Sequence, residues 1–112
     1  MNGFRVWDWY HKKYLDEKLF CVSSDGIVMR IGSAGSIGGV KIEQSTGLKD
    51  KNGKMIFEGD VVQDHYWRTG EDVHIVSFSK NLASFITTST KKRRYSDLHR
   101  NVYLEIIGTI HD

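Results

Sequence analysis

At 112 residues the chain suffices for one domain with a modest core, or for two intimately packed β-rich lobes. Hydrophobic residues make up 39% and charged residues 27%, which excludes a disordered, collagen-like or coiled-coil chain. Sixteen basic against fourteen acidic side chains, a net +2, fall short of the strong positive balance of a dedicated nucleic-acid binder but leave room for a local basic patch.

No apolar stretch approaches the roughly 20 residues that span a bilayer. The start, Met1-Asn2-Gly3-Phe4-Arg5, lacks the basic opening and apolar middle of a signal peptide. The single cysteine, Cys21, excludes an intramolecular disulfide framework. These features predict a cytoplasmic protein with no membrane association. Proline is absent, so Gly, Asn, Asp and Ser must make the turns.

Alternation carries the reading in chain order. Phe4 to Trp9 is predicted as a first strand, with Phe4 and Val6 facing away from Arg5 and Trp7, and Tyr10 to Lys13 as a turn. Tyr14 to Val22 alternates again and places Leu15, Leu19 and Cys21 on one face, where Cys21 is expected to be a small core residue. Asp25-Gly26 is a turn dipeptide ahead of Ile27 to Ile31. The stretch Gly32 to Gly39 reads as a linker; its glycine spacing suits a phosphate cradle only superficially, since no P-loop Lys-Ser/Thr pair and no helical pattern follow. Val40 to Glu43 is a short strand with Val40 and Ile42 inward and Lys41 and Glu43 outward.

The second half is richer in strands. Asn52-Gly53 is the strongest hairpin signal in the chain, and Gly59 reads as a left-handed residue that delivers the chain into a strand from Val61 to Trp67. Val73 to Ser79 is apolar on both faces, as befits a central strand, and Leu82 to Ser89 is rich in β-branched residues. Ser96 can cap a single helical turn, and Tyr103 to Ile110 closes the chain as a strand with Leu104 and Ile106 inward. The predicted class is all-β: short antiparallel strands with at most one or two short helical turns.

Three segments, Phe4-Arg5-Val6-Trp7-Asp8, Gln44 to Val62 (with Gly47-Leu48-Lys49-Asp50-Lys51-Asn52-Gly53 and Phe57-Glu58-Gly59-Asp60) and Glu105-Ile106-Ile107-Gly108-Thr109-Ile110, resemble the YopX family, in the family's order and across nearly the whole chain. The resemblance implies a protein typical of phages and prophages, of uncharacterised role and without established catalytic or binding residues. It also implies a β-rich fold whose C-terminal half is similar to a small SH3-like barrel. The expected organisation is a single YopX-like domain over 1–112, with sub-lobes at 1–43 and 44–112. The regions 10–40 and 63–102 carry little of the likeness.

Candidate chemistry is sparse. Glu58, Asp60 and Asp64 are the best carboxylates for acid–base work or a metal, but turn formation and side-chain-to-backbone hydrogen bonds explain them as well. The five histidines show no metal-binding spacing, and no cofactor is expected. Lys91, Lys92, Arg93 and Arg94, with Tyr95 beside them, can contact phosphates and stack on unpaired bases, as can Tyr66 and Trp67; solvated loop charge and core packing are the plainer readings. Trp7, Trp9 and Tyr10 either cover one end of a sheet or form an aromatic protein interface. The leading expectation is a non-enzymatic, macromolecule-binding or self-assembling β module, whose partner is a second copy or a host or phage protein. The alternatives are a single-stranded nucleic-acid binder using 91–95 and, least supported, an enzyme using Glu58 and Asp60.

Overall fold

The computed structural model describes residues 3–23, 25–31, 38–65, 72–90, 95–97 and 102–112. Among them the regular elements are antiparallel strands and there is no α-helix, so the chain is all-β. Contacts divide it into two compact units, Met1–Gln44 and Ser45–Asp112.

In the first unit β1 (Phe4–Asp8) turns into the two-residue β2 (Lys13–Tyr14), with Trp7 opposite Tyr14 and Asp8 opposite Lys13. The other edge of β1 pairs with the start of β5 (Val40–Lys49), from Phe4 opposite Gln44 to Asp8 opposite Val40. A separate hairpin joins β3 (Phe20–Val22) to β4 (Val28–Arg30) around Gly26, whose φ of 80° fits the Asp25-Gly26 turn. Val6, Phe20 and Val28 form the core, with Leu15, Val22, Val40 and Ile42 packed against them.

The expected strand from Tyr14 to Val22 is broken. Asp16 accepts from Lys18 N–H through its carboxylate and from Leu19 N–H through its carbonyl, which makes a turn where alternation suggested continuity. The interruption resets the parity. Phe20 and Val22 take the core side of β3 and Cys21 is exposed, contrary to its expected place in the core. Glu43 departs from expectation too: it is fully buried, with Arg5 and Tyr14 hydrogen-bonded to its carboxylate.

In the second unit the later half of β5 pairs with β6 (Met55–Phe57) through the Asn52-Gly53 turn, where Gly53 has φ 82°. Gly59, at φ 87°, then admits the chain to β7 (Asp60–Asp64). A five-stranded antiparallel sheet follows in the order β10-β9-β8-β7-β11, with β8 (Asp72–Ser79) central, as its two-sided apolar pattern predicts. β9 (Ser84–Ser89) and β11 (Leu104–Thr109) flank the β7–β8 pair, and β11 carries a register shift between Ile106 and Gly108. Residues 95–97 form β10, pairing Ser96 with Thr87, so the expected helical turn at Ser96 is a strand: the edge of β9 offers it a ladder of partners. Ile56, Val62, Val76 and Leu104 make the core, with Phe85 and Ile106 against it.

Candidate functional site

The β1–β2 hairpin assembles the densest group of aromatic and charged side chains in the first unit. Alternation along β1 puts Arg5 and Trp7 on one face, and register adds Tyr14 from β2 and Lys41 and Glu43 from β5. Glu43 Oε1 accepts from Arg5 Nε and from the Tyr14 hydroxyl, each at 2.8 Å, and Lys41 Nζ lies 3.8 Å from Oε2. The Arg5 guanidinium sits 4.4 Å from the Tyr14 ring centre, and Trp7 meets Tyr14 edge-on at 5.0 Å. A buried carboxylate tolerates this position because its charge and lone pairs are answered by these groups. The cluster therefore stiffens the base of the hairpin.

The turn above it is held by Asp8. Its Oδ1 accepts from the N–H of Tyr10 at 3.0 Å and of His11 at 3.2 Å, and its Oδ2 lies 2.6 Å from His11 Nδ1. The His11 hydrogen bond, with the backbone donors behind it, holds the Asp8 carboxyl below the usual carboxylate range. Lys12 closes the turn at φ 53°. Tyr10 is thus projected into solvent, 86% exposed, beside Trp9 at 55%, while Trp7 is only 8% exposed and braces Trp9 edge-on at 6.3 Å. Of the three aromatics expected to act together, two form a surface and the third supports it.

The carboxylates of the second unit are structural in their contacts. Asp60 is buried and accepts from Phe57 N–H at 2.8 Å, clasping the Gly59 turn. Asp60 and Asp64 share the inner face of β7, and both are buried. Asp50, which no sequence signal singled out, does more. Its Oδ1 accepts from Asn52 and Lys54 N–H, both at 2.9 Å, and its Oδ2 accepts from Ile106 N–H at 3.1 Å, tying the hairpin to β11. Burial alone would raise the Asp50 carboxyl; donation from Ile106, Lys54 and Asn52 and the charge of Lys54 outweigh it and hold it below the usual range. Among the described residues no three His, Cys, Asp or Glu side chains come together in a metal-holding group.

Lys91, Lys92, Arg93 and Arg94, like Tyr66 and Trp67, lie outside the described residues, and of the basic segment only the backbone of Tyr95 is placed, opposite Thr88 at the start of β10. The sequence reading gave Asp8, His11, Tyr14 and Glu43 no role in a site, and it placed Glu43 outward. The one local signal for the turn was an Asp at a strand end followed by a polar, aromatic stretch, an Asx-turn pattern; the Glu43 cluster is non-local and had none.

A family model described as YopX protein matches residues 3–112. Among solved structures, the crystal structure of protein EF1440 from Enterococcus faecalis is similar, with 26% identity, a TM-score of 0.59, and coverage of 97% of this chain and 92% of that one. No curated protein matches.

Proposed function

The chain belongs to the YopX family, and from that premise we propose that it is a non-enzymatic binding module of phage or prophage origin, working in the host cytoplasm, that docks on a protein through the Trp9–Tyr10 tip of its first hairpin. The observation that carries the reading is the exposure of two adjacent large aromatics on a turn immobilised from below. Trp and Tyr are the side chains that dominate binding energy at protein interfaces, and a pre-ordered pair forfeits little entropy on docking. The short edge strand β2 beside them offers backbone groups to a partner strand. The second unit, a meander of four strands with β11 against the first of them, supports the SH3-like barrel that the family resemblance implies and serves as the scaffold.

Size-exclusion chromatography with light scattering, alongside affinity capture from bacterial host lysate, tests the proposal. A self-complex or a captured protein should form with the wild type and be lost on combining Trp9→Ala with Tyr10→Ala. A strict monomer that recovers nothing, or a complex indifferent to both substitutions, overturns it.

A further inference from the structure

A cavity of about 280 Å³ opens in the first unit beside the same hairpin. One wall is ionic: Asp8, His11 and Lys13. The other is apolar: Leu15, Leu19, Phe20 and Ile31. Leu19 and Ile31 are tied together by the Ile31 N–H bond to the Leu19 carbonyl at 2.9 Å, yet both side chains are exposed, an arrangement that leaves hydrophobic area uncovered in a unit with little core to spare.

The charges on the ionic wall are unequal in what they have left to offer. Both Asp8 oxygens are committed, Oδ1 to two backbone N–H groups and Oδ2 to His11 Nδ1. With Nδ1 engaged by a carboxylate, His11 has Nε2 for an incoming group, and a proton there makes it a donor. Lys13, opposite Asp8 in the hairpin register, takes part in no ion pair among the described residues. What the wall has left to offer an anionic group is therefore the Lys13 ammonium.

We propose that this cavity binds a small amphiphilic acid, its short apolar chain lying along Leu15, Leu19, Phe20 and Ile31 and its carboxylate meeting Lys13 Nζ beside the His11 ring. The apolar wall supplies desolvation and the Lys13 ammonium selects the anionic head group, the usual division of labour in small-molecule sites. Neither Trp9 nor Tyr10 lines the cavity, although the Tyr10 ring meets that of His11 edge-on at 4.9 Å.

The test is an NMR titration of the full chain with 4-methylpentanoate as probe and 4-methylpentanamide as its neutral control. The acid should give saturable shifts at Leu15, Leu19, Phe20 and Ile31 with a dissociation constant of about 1–10 mM, as expected for so small a ligand. The amide should bind at least about 5-fold more weakly, and Lys13→Met, which keeps the apolar stem, should cost the acid about 5-fold. The proposal is overturned by the absence of saturable shifts at these residues, by equal binding of acid and amide, or by wild-type affinity in the Lys13→Met variant.

Discussion

The two units solve the problem of a small β body differently. The second has long paired strands, β8 running eight residues and β9 six, and four fully apolar buried side chains at its centre. The first has strands of two to five residues, three buried core side chains, and a buried Glu43 held by Arg5 and Tyr14. Both units leave large apolar side chains in water, Trp9, Tyr10, Leu19, Ile27 and Ile31 in the first and Leu48, Phe78, Leu82, Val102, Tyr103, Ile107 and Ile110 in the second. What sets the first apart is that two of its exposed side chains, Trp9 and Tyr10, are adjacent aromatics on one turn, the kind of surface that makes contacts. The longest of the three family-like segments, Gln44 to Val62, lies mainly in the unit with the larger apolar core.

The sharpest way to break that contrast is to empty each core in turn. Ile56→Ala should cost about 3–4 kcal/mol, and Val6→Ala, which removes fewer carbons, about 2 kcal/mol. Urea midpoints measure both, and a larger loss from Val6→Ala would reverse the ranking of the two cores. Next in size is Asp50→Ala, which strands three backbone N–H donors and should cost about 2–3 kcal/mol at neutral pH. Because the folded Asp50 carboxyl lies below its ordinary value, its contribution is complete above about pH 4 and fades as pH falls through the folded value. The wild type should therefore approach the variant in acid; a gap that stays constant from pH 7 to about pH 3 would show that the ionised carboxylate is not what matters. Smallest is Tyr10→Ala, expected to change the unfolding free energy by no more than about 0.5 kcal/mol in urea titration, since the ring is almost wholly in water. A larger loss would make Tyr10 part of the fold and remove it from the binding surface.

Much of the fold was legible because local chemistry decides it. Asp25-Gly26, Asn52-Gly53 and Gly59 all mark turns with glycine in the left-handed region, and the two-sided apolar pattern of residues 73–79 places β8 at the sheet centre. The errors arose where one local rule met another or where a distant segment intervened. Asp16 bent the chain inside an alternating run, and everything after it, Cys21 included, changed face. Glu43 reads as an outward charge until Arg5 and Tyr14, 38 and 29 residues away, are brought to it. At the hairpin tip, Trp9 and Tyr10 were visible as types, but alternation could not say that Trp7 would be the buried member. The Asp8–His11 pair is local, but the cavity beside it depends on three separate segments meeting, which no spacing in the sequence encodes.

The outward turn of Cys21 has a practical consequence. The chain has one cysteine and its thiol faces solvent next to Phe20, a residue of the cavity wall. A maleimide dye or a nitroxide can therefore be attached to the native protein at a single defined point, with no engineered substitution. Such a reporter would sit within one residue of the apolar wall and give an optical or magnetic readout of anything that enters.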